Sequence, residues 1–506
     1  MSRLQLTQGL RRSADLFGDR VATIMGDRRS TWREVENRVA RLAAGLRGLG
    51  AQRGDRIVIL ALNSDRYIDA YYAILWAGCV AVPLNTRWVW AEIAHALSDS
   101  EPSLILYDAH FAHLAPELAK TCPVVAMDGA GDGSPCFDAL VSAYDPMPDE
   151  SAGGDDLAMI FYTGGTTGRS KGVMLSHANL AGNFLAQQAL LHYPSDTVFL
   201  HVAPMFHMAD ACCLLGMTAI GATHVALPVF DPAQVIDTIV RERVTAVMLV
   251  PTMIAMLIEA LQDRDDDMSC IQRIFYGASP ISEAVLRKAM ATFPNARFCQ
   301  AYGQTELSPV ATVLEHEDHL RGYLRSAGRP IPTVDLRVVD ETMQSRPFGE
   351  VGEIAVRGPG VMMGYWRQPE LTGATIIDGW LRTGDAGYRD ADGYVFLVDR
   401  VKDMIVSGGE NVYSVEVENA LMSHPAVRQC AVIGVPDDRW GEAVHAFVQL
   451  HPDGDVSADT LIAHAKERIA GYKCPRSFTF REDPLPLSGA GKILKTELRK
   501  LVTGQA

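Results

Sequence analysis

Through the first four hundred residues, short apolar runs alternate with amphipathic helical patterns, and that alternation leaves few architectures open. Arg56–Leu62 reads as a buried strand, and Val80–Val82, Leu104–Tyr107, Met159–Tyr162, Thr223–Leu227 and Ala246–Val250 as further strands. Helical patterns such as Pro232–Arg243 lie between several of them. Ahead of the first strand, Thr31 and Glu34 form a capping-box pattern, with Val35, Val39, Leu42 and Leu46 on one helical face. Gly48 and Gly50 suit the end of that helix. Strands and helices alternating on this scale predict an α/β chain of largely parallel sheets covered by helices on both faces.

After about residue 350 the pattern changes to short strands divided by Gly-rich turns, at Glu353–Arg357 and Tyr394–Val398. From residue 403 a compact unit of roughly 100 residues follows, enough for a small α+β domain. Its strands are expected at Met404–Ser407, Ala431–Val435 and His445–Leu450, and its helices from Ser414 and over Ala458–Ala470. The charged run Asp399–Asp403 marks the boundary. The expected division is a large domain over 1–399, a hinge at 400–402 and a small domain over 403–506.

Composition narrows the function. Of 506 residues 48% are apolar, which excludes disordered and collagen-like chains. A net charge of −15 argues against nucleic-acid and membrane-surface binding, which need a broad positive face. Residues 461–506 run the other way, with nine Lys/Arg against four Asp/Glu. The nine cysteines contain no CxxC pair, and an odd count suits reduced thiols. No apolar run reaches the 18 residues of a spanning helix, and the N-terminal segment is polar where a signal peptide is apolar. A soluble cytoplasmic protein is expected.

The strongest chemical signal is Tyr162-Thr163-Gly164-Gly165-Thr166-Thr167-Gly168-Arg169-Ser170-Lys171-Gly172, directly after a strand. Glycines and threonines let backbone amides and hydroxyls approach phosphate oxygens, and Lys171 adds a point charge. The segment resembles the signature loop of the adenylate-forming superfamily of acyl-CoA synthetases, amino-acid adenylation domains and firefly-type luciferases. It departs from the family form twice, with Gly164 for Ser and Ser170 for Pro. Further motifs resemble the family's in order: Gly277-Ala278-Ser279, Tyr302-Gly303-Gln304-Thr305-Glu306, Trp380-Leu381-Arg382-Thr383-Gly384-Asp385, Asp399-Arg400-Val401-Lys402-Asp403 and Pro486–Ile493. The resemblance covers essentially the whole chain.

That resemblance implies an AMP-forming acid–CoA ligase with ATP, Mg²⁺ and coenzyme A. A carboxylate attacks the α-phosphate of ATP to give acyl-AMP and pyrophosphate, and a thiolate then takes the acyl group. It assigns Thr163, Gly165, Thr166, Thr167, Gly168 and Lys171 to the phosphates, and Gly277, Ala278 and Ser279 to adenine. Tyr302, Gly303, Thr305, Asp385, Val398 and Arg400 also fall to the nucleotide, with Thr163 and Glu306 to the metal. Lys492 becomes the catalytic lysine, carried by a small mobile C-terminal domain that turns on the hinge around Lys402. Gly408 and Gly409 line the thiol tunnel, and Trp440, Tyr472, Lys473 and Arg476 meet the CoA nucleotide. His207 is the candidate for contacting the acid. The small residues Ala209, Ala211, Cys212, Cys213 and Gly216 after it leave room for a medium- or long-chain fatty acid or an aryl-propenoate. The resemblance also allows a carrier-protein thiol as acceptor, and a homodimer.

Overall fold

Arg56–Leu60 pairs in parallel with Val80–Pro83 on one side and Leu104–Tyr107 on the other, as apolar runs buried on both faces must. The computed structural model that shows this describes residues 3–129, 135–163, 170–400, 403–407, 410–437, 439–452, 454–488 and 493–503. Among these residues the strands form sheets of nine, seven, five and five strands. Leu157–Thr163 joins the seven-stranded sheet in parallel through Met159, and Lys171–Ser176 and Gly364–Tyr365 close its edge antiparallel. In the nine-stranded sheet, Arg297–Gly303, Arg273–Gly277, Ala246–Leu249, Val198–His201, Thr223–Ala226 and Val21–Met25 run parallel in that order. Antiparallel strands finish both of its edges.

The helix Trp32–Gly48 begins with the expected capping box of Thr31 and Glu34. Its face of Val35, Val39, Leu42 and Leu46 packs with the helix Asp65–Trp76 into the largest apolar core. The third sheet is antiparallel throughout and builds on Asp335–Val339, Gly352–Arg357, Trp380–Arg389 and Val395–Arg400. Only two of these were expected as strands, because Trp380–Arg389 carries Gly384 and Gly387 and lacks a clean alternation of apolar residues. The charged run beginning at Asp399 therefore starts inside a strand, and 401–402 lie outside the described residues.

The C-terminal strands form a sheet of their own, in which Val427–Asp437, Gly441–Leu450 and Ser477–Arg481 are neighbours. A separate core of Ile405, Val417, Leu421, Val432, Val444 and Leu461 lies beneath the helices Ser414–Met422 and Ala458–Lys466. The architecture is thus a large α/β domain built on parallel sheets with a small α+β domain after it. Among the described residues no helix is long and apolar enough to cross a membrane. All nine cysteines are free thiols.

Candidate active site

Thr163 and Lys171 face each other as the last register pair of the hairpin formed by Leu157–Thr163 and Lys171–Ser176. The hairpin end thus fixes both edges of the candidate phosphate loop; its Gly165, Thr166, Thr167 and Gly168 lie outside the described residues. The helix Trp90–Ser100 braces those edges: Tyr162 donates its hydroxyl to Asp99 at 2.6 Å, and His95 Nε2 donates to the Ser170 carbonyl at 3.2 Å. Lys171 Nζ sits 4.3 Å from the ring centre of Tyr365.

Beside the hairpin, a short turn over Thr305–Leu307 follows the strand Arg297–Gly303 and buries Glu306. Gly303 is required there, since a Cβ would lie 1.9 Å from the Pro309 carbonyl oxygen. Glu306 Oε1 accepts the Tyr365 hydroxyl at 3.0 Å. Among the described residues its other oxygen has no hydrogen-bond partner and the carboxylate no ion-pair partner. A carboxylate held by a neutral donor, with one oxygen left over, fits a hard divalent cation. Thr163 offers a further oxygen on the neighbouring hairpin.

Tyr302 donates its hydroxyl to Asp385 Oδ2 at 2.8 Å, joining two of the sequence motifs. Asp385 lies opposite Arg400 in the sheet, one residue after Gly384 in the left-handed region at φ +69°. Glu353 holds this bend by accepting the Gly384 amide at 2.9 Å. Val398 is half-buried on the strand Val395–Arg400. Gly277-Ala278-Ser279 leaves the strand Arg273–Gly277 with Ala278 at φ +67°. A Cβ on Gly277 would come within 2.3 Å of the Ala301 carbonyl oxygen. Tyr276 donates to His319 Nε2 at 2.8 Å, and His319 Nδ1 donates to the Glu315 carbonyl at 2.7 Å. That chain ties the turn to the helix His316–Leu320.

In the small domain, the guanidinium of Arg476 stacks 4.1 Å from the Trp440 ring centre and that of Arg439 at 4.8 Å. Tyr472 is exposed. Lys473 Nζ is held by both carboxylate oxygens of Glu416, at 2.8 and 2.7 Å, so its charge is already compensated. Lys402, Gly408, Gly409 and Lys492 lie outside the described residues. Leu487 and Ile493 pair across the segment that contains Lys492, and Arg87 of the large domain donates to the Ser488 carbonyl at 3.1 Å.

His207 caps the helix Met208–Ile220, its Nδ1 accepting the Ala209 amide at 3.3 Å. That helix presents Cys212, Cys213 and Gly216 to a cavity also walled by Phe184, Tyr193 and Phe275. Ala211 instead enters the main core, and Ala209 packs against a neighbouring cluster. Among the described residues, no charged side chain lines the cavity. Gln187 crosses one wall, its amide nitrogen donating to Asn183 Oδ1 at 2.7 Å and lying 3.1 Å from Cys212 Sγ. Asp210, on the buried side of the same helix, accepts His201 Nδ1 at 2.8 Å. His201 Nε2 in turn meets His224 Nδ1 at 2.8 Å, which anchors the helix to two strands.

The structure thus gathers Thr163, Lys171 and Glu306 on one side and Tyr302, Asp385 and the adenine-turn candidates on the other. Tyr365, His95, Asp99 and Glu353 were not anticipated, because each acts across a long sequence separation and none stands in a chemical motif.

A hairpin closing on a glycine-rich loop, a buried carboxylate and a Tyr–Asp pair under a glycine bend suit a nucleotide-activating enzyme, and the chain belongs to the AMP-binding enzyme family. The family's main model matches residues 10–366 and that of the AMP-binding enzyme C-terminal domain matches 416–492. The chain is 40% identical to a feruloyl-CoA synthase of Amycolatopsis sp over 480 residues, covering 93% of each chain. It is 34% identical over 493 residues to the fatty acid–[acyl-carrier-protein] ligase ScoC of Streptomyces coeruleorubidus, covering 96% of this chain and 94% of that one. Among solved structures it resembles the Bacillus subtilis o-succinylbenzoate coenzyme A synthetase (MenE) in complex with ATP and magnesium ion. There the TM-score is 0.86 at 31% identity, covering 97% of this chain and 98% of the other.

Proposed function

We propose that this AMP-forming acid–thiol ligase activates an aryl-propenoic acid and transfers it to coenzyme A. The observation that carries the acid is the small cavity beside the helix Met208–Ile220, with the rings of Phe184, Tyr193 and Phe275 in its wall and, among the described residues, no charged side chain. It has room for about one water as it stands, so its wall must move for an acid to enter. Flat aromatic walls favour a planar aryl group, and the absence of a counter-charge disfavours an amino or dicarboxylic acid. The similarity to a feruloyl-CoA synthase supports the same choice.

In this reading no protein nucleophile is needed, and catalysis rests on positioning and on charge stabilisation at phosphorus. Thr163 and Lys171 hold the β,γ-phosphates at the hairpin end, and Asp385, oriented by Tyr302, accepts the ribose hydroxyls. Glu306 and Thr163 hold Mg²⁺, which when bound neutralises phosphate charge. Lys492 bridges the acid carboxylate and the α-phosphate, and the small domain then turns on 400–402 so that Trp440 and Arg476 meet CoA. Domain limits of 1–399 and 403–506, a cytoplasmic location and a homodimer complete the reading.

A second reading keeps the adenylation and sends the acyl group to a carrier-protein thiol, favoured by the similarity to ScoC. Pyrophosphate release over a panel of cinnamic, benzoic and fatty acids, with CoA, with a holo-carrier protein and with neither, decides between them. Turnover with hydroxycinnamates that accelerates only with CoA is the expected result. Acceleration by the carrier alone, or release confined to fatty acids, overturns the first reading.

A further inference from the structure

We infer that Tyr365 is a positioning residue for the triphosphate site, holding Glu306 for the metal with its hydroxyl and Lys171 for the phosphates with its ring. The inference rests on the nucleotide site proposed above and adds a residue outside every motif that carried it. Tyr365 is 5% exposed, with its hydroxyl 3.0 Å from Glu306 Oε1 and its ring centre 4.3 Å from Lys171 Nζ. One neutral side chain therefore touches both charged groups that flank the expected triphosphate.

The placement is rigid. Tyr365 pairs with Val173 in the sheet, its amide donates to Thr372 Oγ1 at 2.9 Å, and the next amide, of Trp366, donates to the Gly172 carbonyl at 2.7 Å. The ring is thus fixed to the same hairpin strand that carries Lys171. Glu306 stands on a short turn whose backbone carbonyl accepts the Met362 amide at 2.9 Å, so the segment that carries Tyr365 holds the turn and the hydroxyl then fixes its carboxylate.

The chemistry of the contact matters. A phenol donates to a carboxylate without cancelling its charge, whereas an arginine or lysine in that place would take the charge a cation needs. With Oε1 occupied, the carboxylate presents Oε2 in a single orientation. The ring face attracts the Lys171 ammonium through its quadrupole and keeps it beside the hairpin, again without an opposing charge.

The test uses the full chain with Mn²⁺ as the probe and α,β-methylene-ATP as the nucleotide, reading free Mn²⁺ by electron paramagnetic resonance. Tyr365→Phe is expected to weaken Mn²⁺ binding in the ternary complex by about tenfold, the scale of other residues that orient a metal ligand. Nucleotide affinity in EDTA and thermal stability stay as in the wild type. On a Glu306→Gln background the same change is expected to add nothing. Tyr365→Leu, which also removes the ring, is expected to lower metal-free nucleotide affinity by roughly two- to fivefold. Unchanged Mn²⁺ affinity in Tyr365→Phe, or an equal loss with Glu306 already replaced, overturns the metal half. Equal metal-free affinities in Tyr365→Phe and Tyr365→Leu overturn the phosphate half. A wild type that binds neither Mn²⁺ nor the analogue overturns the nucleotide-site reading, and the inference with it.

Discussion

The carboxylate of Asp399, near the end of the last strand of the antiparallel sheet, accepts the backbone N–H of Ser414 at 2.5 Å, at the start of the first helix of the small domain. Around this bond Lys495 donates to Ser414 Oγ at 2.5 Å and pairs with Glu418 at 2.8 Å, while Arg499 pairs with Asp403 at 2.8 Å. An anion at a helix N-terminus is favoured by the exposed amides and the helix dipole. The basic C-terminal helix Lys495–Thr503 thus clasps Glu418 and Asp403, both on the small-domain side of the proposed hinge, while Asp399 reaches across it to Ser414.

Asp399→Ala is expected to loosen this clasp. Losing a charge-assisted hydrogen bond costs about 1.5 kcal/mol, or roughly tenfold in an opening equilibrium. Trypsin cleavage after Arg400 or Lys402 at native temperature should therefore accelerate about tenfold in proportion to that opening. An unchanged cleavage rate means the bond does not join the two domains energetically.

Lys473, proposed as a CoA contact, offers a second test, because Glu416 already compensates its charge. Glu416→Gln releases the ammonium and is expected to lower the KM for CoA, while Lys473→Ala raises it; the KM for ATP stays constant in both. Steady-state kinetics with CoA varied checks the pair. If neither variant moves the KM for CoA, the ion pair is structural and the tail's CoA contacts lie elsewhere.

Gly216 sits mid-helix at the cavity wall, and a Cβ there would lie 3.7 Å from Phe184 Cβ, an ordinary contact. Gly216→Ala is expected to stabilise the fold by roughly 0.5–1 kcal/mol through reduced chain entropy, seen as a higher midpoint in urea. Gly216→Leu fills the cavity and should raise the KM for hydroxycinnamates by about tenfold or more, with the KM for ATP unmoved. An unaltered acid KM places the acyl pocket elsewhere.

Stability should fall in mild acid. His177 is buried at the start of the helix His177–Leu191, where Nδ1 accepts the Leu6 amide at 3.3 Å. Burial pushes its imidazole down from 6.5 to about 4, with Asp156 partly opposing and Arg53 adding to the shift. The unfolded chain therefore binds the proton more readily, and the stability from the neutral ring is complete above pH 6.5 and lost as pH falls towards 4. The loss is on the order of 3 kcal/mol. His224, also pushed down by burial, acts in the same direction. His177→Asn, whose side-chain oxygen can accept the Leu6 amide, should flatten the decline in Tm between pH 6.5 and 4.5. An equally steep decline in the variant assigns the effect to other groups.

Local signals were legible where the deciding contacts are close in sequence. The Thr31–Glu34 capping box spans three residues, and the strands Arg56–Leu60 and Leu104–Tyr107 are buried on both faces, so an apolar run sufficed to find them. Of the hairpin that closes on Thr163 and Lys171, the first strand and the glycine loop after it were visible, but the return strand Lys171–Ser176 was not. Trp380–Arg389 escaped because its two glycines and half-exposed positions carry no clean period, and only pairing on both sides makes it a strand.

What the sequence by itself determined is the chemistry: the order of the motifs, the glycines that tight backbone contacts demand at 277 and 303, and the uneven charge that ends in a basic tail. Only the tertiary structure decided the partners of those groups. Tyr365 meets Glu306 across 59 residues, Asp385 meets Tyr302 across 83, and Lys473 meets Glu416 across 57. Hydrogen bonds and ion pairs of that reach depend on how separate elements pack, and no local periodicity encodes which carboxylate a given hydroxyl or ammonium will find.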